Sequence, residues 1–284
     1  MLTIKNLFIT GVLILYTNLC FTQIVGKCID KLGNPIPYIN VSVKKSIIGT
    51  VSNEDGVFRF KENLQNEIDS LVFSHIGYIT QTISSDRNDS IIVILQPSQY
   101  QLREVNISAS ETIYKNEKII GTKASTDHVV LSFLTHNLGS EIGKLIKIKK
   151  GKKCKVEKVF FNISQFDFIK STFRINFYNV AEDDKIENVR VNFSDIVKDS
   201  FKNGLIEIDV SDDNLVFEND FLVSIEWIDY IKMPLNDPKK ENIINFNSSV
   251  FSGPSYYRPN NIINWTKNKF KYNSGIGIHL SVKY

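Results

Sequence analysis

Along most of the chain, apolar positions recur with a period of two. Ile39, Val41 and Val43 alternate with Asn40 and Ser42, and Ile91, Val93 and Leu95 repeat at the same spacing. Further on, Leu205, Ile206, Ile208 and Val210 mark a strand, and Ile276, Ile278, Leu280 and Val282 mark the last one. A period of two buries one face of a strand and leaves the other to water, the pattern of antiparallel sheets. Gly33-Asn34-Pro35, Glu54-Asp55-Gly56 and Asn203-Gly204 read as turns between such strands. No long amphipathic helical segment interrupts them. Short strands at this spacing predict an all-β chain of sandwiches or small barrels.

The first residues follow a different pattern. Met1 to Thr22 holds one early cation, Lys5, then an apolar run from Leu7 to Tyr16, then Cys20-Phe21-Thr22. This three-part pattern predicts a secretory signal peptide over residues 1–22, cleaved before Gln23. A membrane-spanning helix needs about 20 apolar residues, and Thr10, Gly11, Thr17 and Asn18 dilute this stretch. Leu19, just before Cys20, stands where a lipid-attachment signal requires a small residue. Export to the periplasm, the outer membrane or the cell surface is therefore expected. The rest divides into a first β unit at 23–97, a connecting strand or linker at 98–110 and a larger β unit at 111–284. Leu102, Val105 and Ile107 lie at nearly strand spacing within that connection.

Four landmarks in the first unit carry a family resemblance. They are Ile24 to Asp30; Gly33 to Val41; Gly49-Thr50-Val51-Ser52-Asn53-Glu54-Asp55-Gly56-Val57-Phe58; and Leu71-Val72-Phe73-Ser74-His75-Ile76-Gly77-Tyr78. In this order they resemble the carboxypeptidase-regulatory-like domain. Tyr38 and Ile39 stand where small residues are usual, and Asn53 where Asp is usual. The resemblance implies a transthyretin-like Greek-key sandwich of the kind widespread in the Bacteroidetes cell envelope. Leu102 to Ile107 resembles the stretch that leads into the plug of TonB-dependent receptors. The remaining chain is far too short for such a receptor's 22-stranded barrel. Gly139 to Gly143 and Phe221 to Trp227 loosely resemble the β domain that accompanies this module in other envelope proteins. For residues 111–284 we expect an antiparallel, jelly-roll-like β-sandwich. Local physics agrees with the resemblance: Gly56 supplies the positive φ of a bulged hairpin, and Gly77 turns the chain beside Phe73 and Tyr78.

Composition adds limits rather than a ligand. The chain is 42% hydrophobic and 23% charged, which excludes disordered and collagen-like classes. Net charge is +3, and +2 without Lys5, so neither nucleic acid nor an anionic membrane is demanded as a partner. Cys28 and Cys154 remain after cleavage; they either pair in an oxidising compartment or stay buried as thiols.

Candidate chemistry is sparse. His75, His128, His136 and His279 lack the HExxH pattern of a zinc peptidase, and a metal shared by His128 and His136 would have no third ligand at suitable spacing. Gly139-Ser140-Glu141-Ile142-Gly143 puts serine in the wrong place for a nucleophile elbow. Val51 cannot be the first ligand of a calcium loop reaching Glu62. Acid pairs such as Asp183-Asp184 and Asp212-Asp213 sit in turn-like stretches. We therefore expect no enzyme, no cofactor and no metal.

Lys144 to Lys158 carries eight lysines broken by Gly151. It reads either as an anion site or as a β-hairpin with lysines on its wet faces, which guards a sheet edge. The ligand candidates are Tyr256, Tyr257, Arg258 and Trp265, near the amides of Asn260, Asn261 and Asn264. Aromatic faces beside planar polar groups suit sugars or peptide backbones, or else Tyr256 and Trp265 close one end of the core. The expectation is an envelope protein that binds a protein or a glycan, with peripheral association to the outer membrane. Alternating Ile276 to Val282 before Tyr284 keeps a small outer-membrane barrel as the alternative. A hydrolase with an unrecognised site ranks behind it.

Overall fold

In the computed structural model, residues 24–60, 69–84, 90–98, 116–124, 126–149, 151–181, 185–191, 194–234, 240–268 and 274–284 are described. Residues 1–22, read as a signal peptide from the sequence, residues 99–110 of the connection, Glu62 and Asp183-Asp184 lie outside them. Nearly every period-two segment forms a strand, and the one helical element among the described residues is a 3₁₀ turn at Ser211–Asp213.

The first unit holds β1 (Val25–Ile29), β2 (Asn40–Val43), β3 (Gly49–Val51), β4 (Val57–Arg59), β5 (Ser70–Ser74), β6 (Gln81–Ser84) and β7 (Ser90–Ile94). They form two sheets, β4-β1-β7 and β3-β2-β5-β6, with β1 parallel to β7. Cys28, Ile39, Val41, Phe58, Phe73, Val93 and Leu95 fill the space between them. Gly56 takes φ +73°, as its turn requires. The turn is not a hairpin, however, because β3 pairs with β2 while β4 pairs with β1. It carries the chain from one sheet to the other.

The second unit begins with β8 (Glu117–Gly121), β9 (Thr126–Leu134), β10 (Glu141–Ile146), β11 (Cys154–Phe166) and β12 (Phe168–Val180). It continues with β13 (Ile186–Arg190), β14 (Ile196–Ser200), β15 (Gly204–Asp209), β16 (Val216–Phe217) and β17 (Phe221–Lys232). It ends with β18 (Ile243–Ser249), β19 (Ser255–Arg258), β20 (Thr266–Asn268), β21 (Gly275–Ile276) and β22 (Ile278–Lys283). One antiparallel sheet runs β13-β12-β17-β10-β19-β20, with β14 also on β12. The other runs β21-β18-β11-β22-β8, with β15 and β16 on β11 and β9 on β18. The fold is thus all-β: small N-terminal sheets, then two curled antiparallel sheets forming a larger domain. Phe133, Phe161, Phe173, Phe177, Trp227 and Phe246 pack between the large sheets, with Phe133 and Phe246 edge to face at 5.4 Å. An apolar interior is the reverse of the outward apolar band of a membrane barrel.

Two expectations need correction, and the open question of the cysteines closes. Lys144 to Lys158 is not a hairpin, because β10 and β11 belong to different sheets and Gly151 turns the chain between them. Within it, Lys144 is buried and donates to the Ser252 carbonyl (2.5 Å). Alternate positions are not always wet: Ser224 and Glu226, which alternate with the apolar residues of β17, are fully buried too. Cys28 and Cys154 are free thiols, buried in the two separate cores.

Candidate polar cleft at the joint of the two units

Strand β17 alternates as its sequence requires: Phe221, Val223, Ile225 and Trp227 enter the large core. Leu222, Ser224 and Glu226 point to the opposite face of the sheet. Neighbouring strands align their polar residues with these. Arg258, Glu141, Glu226 and Arg174 stand in one row across β19, β10, β17 and β12. The next row is Tyr256, Gly143, Ser224 and Asn176, and beyond it lie Leu145, Leu222 and Tyr178.

Like charges directly opposite one another destabilise a sheet, yet Glu141 and Glu226 are cross-strand partners. Flanking arginines resolve the conflict. Arg174 forks onto Glu226 through Nε (2.9 Å) and Nη2 (3.1 Å), and Asn176 Nδ2 donates to both carboxylates. Glu141 accepts from Arg258 Nε (2.9 Å) and Nη2, from Ser224 Oγ (2.6 Å) and from the Tyr178 hydroxyl (3.0 Å). Burial opposes ionisation of Glu226, but Arg174 and Arg190 outweigh it and hold its carboxyl below the ordinary glutamate range. Glu141 is 0% exposed and Arg258 2%, so this row acts at low dielectric.

The first unit covers this face. On β2, Asn40 and Ser42 point away from their own core and are likewise buried. Ser42 donates to Asn261 Oδ1 (3.1 Å), and Asn260 Nδ2 donates to the Ser46 carbonyl (3.0 Å). Both terminal nitrogens of Arg174 reach the Tyr38 carbonyl at 3.2 Å. Tyr38 sits at φ +57°, a costly conformation for an aromatic residue. His75 meets Asp195 at 2.6 Å. Burial would raise the Asp195 pKa, yet Arg174, His75 and Arg190 together hold it well below the carboxylate range. Lys170 bridges Glu54 (3.0 Å) and Asp199 (3.1 Å) at a second point of the joint.

Between the units lies a cleft of about 360 Å³, with His75, Tyr78, Asn261, Arg190, Arg258 and Asn40 among its lining. Two of these residues carry a fully buried atom without a hydrogen-bond partner among the described residues, Arg258 Nη1 and Asn40 Oδ1, the latter 3.7 Å from where a Cβ on Gly139 would lie. Leaving such groups unmet costs about 1–3 kcal/mol each. A second cleft of about 590 Å³ lies between Ser46–Thr50, Thr135–Leu138, Tyr257 and Pro259. It is larger, but none of Glu141, Glu226, Arg174 and Arg258 is in its lining. The smaller cleft is the stronger candidate.

The four predicted residues divide among three places. Arg258 lines the smaller cleft, and Tyr257 lines the larger one with its hydroxyl 3.4 Å from Ser140 Oγ. Tyr256 and Trp265 pack with Tyr178 and Leu222 on the outer face of the sheet, away from the large core. The Arg258 guanidinium lies 4.6 Å from the Trp265 ring centroid, a stacked cation–π contact that helps hold it in place. Glu141, Glu226, Arg174, Arg190, Asp195 and Asn40 are not among the residues the sequence predicts for a site. Their signal was a charged or amide residue at alternate positions of otherwise apolar strands, as in Phe173-Arg174-Ile175-Asn176-Phe177. Among the described residues no group of three or more His, Cys, Asp or Glu could hold a metal.

Residues 24–107 match the family model of the CarboxypepD_reg-like domain. The chain carries a CarboxypepD_reg-like domain. That domain contributes Asn40, Ser74, His75 and Tyr78 to the cleft, and the second unit supplies the charged row. No curated protein matches the chain. Among solved structures, the cysteine protease and lectin-like domains of Cwp84, a surface layer associated protein of Clostridium difficile, match at 10% identity with a TM-score of 0.36. That match covers 56% of this chain and 37% of the other. BcpA, the major pilin subunit of Bacillus cereus, matches at 9% identity with a TM-score of 0.19, covering 89% and 68%. Neither likeness is close enough to bear on function.

Proposed function

We propose that this chain is a non-enzymatic binding or scaffolding protein of a Bacteroidetes-like cell envelope, exported by residues 1–22, with its ligand site in the smaller cleft at the joint. The observation that carries this reading is a cleft shared by both units and lined by the buried charged side chains Glu141, Glu226 and Arg258. Export rests on the three-part pattern of the amino terminus. Absence of catalysis is the corresponding expectation for Glu141 and Glu226, whose oxygens are occupied by arginine, amide and hydroxyl donors rather than poised over open space.

The test immobilises the full chain and measures its retention of two envelope fractions, solubilised outer-membrane protein and released carbohydrate. Thr80 is an exposed residue of the smaller cleft, and Ile47 an exposed residue of the larger. Thr80→Trp should abolish retention while Ile47→Trp preserves it. Equal retention by parent and both variants, or none by the parent, would overturn the reading.

A further inference from the structure

We infer that the end of the second unit remote from the first docks on an anionic phospholipid surface. Val250 and Phe251 enter the headgroup boundary, and the lysines between β10 and β11 meet the lipid phosphates. This surface is distinct from the cleft, and the inference does not rest on it.

Register brings the two loops to one end. β10 and β19 are antiparallel neighbours with Lys144 opposite Ser255. Lys147 continues past Lys144 and Phe251 precedes Ser255, so both lie beyond the same end of the sheet. Lys144 also fastens the loop directly: its buried ammonium donates to the Ser252 carbonyl (2.5 Å) and the Gly253 carbonyl (3.4 Å). Ser252 Oγ donates to the Ser249 carbonyl (2.7 Å), and a Cβ on Gly275 would collide with the Gly253 carbonyl oxygen. The first unit meets the second at the other end, through Tyr38 on Arg174, Ser46 on Asn260 and Glu54 on Lys170.

The tip of this seated loop is apolar. Phe251 is 78% exposed and Val250 43%. Phe251 also holds φ +57°, a left-handed conformation that Gly or Asn adopts with less strain than an aromatic residue. Backbone outliers of this kind cluster where function fixes the residue.

Cations surround the tip. The link between β10 and β11 shows Lys147, Lys149, Lys152 and Lys153, all exposed, and no acid. Two carboxylates touch it among the described residues. Glu218 pairs with Lys153 (2.9 Å), and Asp220 accepts from the Ile148 backbone N–H (2.9 Å). Lys147, Lys149 and Lys152 have no carboxylate partner among the described residues. Just inside this end Lys155 and Lys283 share the single carboxylate of Glu157, which extends the positive surplus.

This combination favours lipid over protein. Lysine is depleted in protein–protein interfaces, and a tip of two apolar residues is far short of the roughly 800 Å² that each partner contributes to one. Lysines beside an apolar tip are what an anionic bilayer holds, by charge at the surface and by burial of the ring at the headgroup boundary.

The test sediments the protein from Gln23 onward with vesicles of phosphatidylcholine, alone or mixed with phosphatidylglycerol. The parent should bind the mixed vesicles alone and lose them in molar salt. Phe251→Asn suits the backbone at this position, so it should weaken binding about tenfold with no fall in melting temperature. Joint replacement of Lys147, Lys149 and Lys152 by Ser should weaken binding about a hundredfold, at about fivefold per lysine. Joint replacement of Lys27, Lys31 and Lys44 by Ser removes the same charge from exposed positions of the first unit and should leave binding as in the parent. No binding to mixed vesicles, equal binding to both kinds, equal loss in the two lysine triples or full binding by Phe251→Asn would each overturn the inference. Thr80→Trp should leave vesicle binding intact, so failure here and failure of the cleft are separate results.

Discussion

Glu141 shows how much one buried residue can govern. It is the charge partner of Arg258 and the acceptor for Ser224 and Tyr178. Glu141→Gln keeps the shape and removes the charge, leaving the guanidinium buried and uncompensated. Loss of one partner from a buried pair costs about 3–5 kcal/mol, and urea unfolding of the variant should show a loss of that size. The Cys28 thiol gives a pH-dependent counterpart. Burial pushes its pKa up to about 12 from the ordinary 9.0. Between those values the folded state keeps a proton that the unfolded chain has released. The stabilisation is full below pH 9 and is lost as pH rises through the folded value. The stability difference between the parent and Cys28→Ala, followed by urea titration, should shrink steadily above pH 9. Sequence left this cysteine open between a disulfide and a thiol, because spacing along the chain does not say which sheet a strand joins.

At the scale of elements, strands were legible where one face is apolar, and β2, β7, β15 and β22 lie where alternation placed them. What alternation cannot say is what covers the second face. Ser224, Glu226, Asn40 and Ser42 have the periodicity of wetted positions, yet they are buried because another sheet lies over them. Lys144 to Lys158 misled for a related reason: two strands joined by a glycine turn need not pair with each other. Arg258 was legible as a ligand candidate from its aromatic neighbours, whereas Asn40 carried no local mark. Turn glycines give a prediction at this scale. Gly33 and Gly56 both have positive φ, at +87° and +73°. A Cβ on Gly33 would meet nothing within 4 Å, whereas one on Gly56 would lie 2.4 Å from the Cys28 carbonyl oxygen. Gly33→Ala should cost only the conformational term, about 1–2 kcal/mol, and Gly56→Ala clearly more. Denaturant titration of the two variants side by side checks the order, and equal losses would count against it.

Taken as a whole, the molecule joins two β units through polar faces rather than through an apolar seam. Arg174 connects Glu226 and Asp195 of the second unit to the Tyr38 carbonyl of the first, and His75 returns the contact to Asp195. An interface of committed charges fixes the relative position of the units, since a small shift would leave several buried ions unpaired at once. That fixity is what makes the cleft between them a built site. Differential scanning calorimetry of the full chain and of Glu226→Gln tests it most directly. The parent should unfold in a single transition, and the variant in a single transition lower by about 10 °C. Two separate transitions, with that of the CarboxypepD_reg-like domain unmoved by Glu226→Gln, would contradict the claim that the units form one body around a shared network.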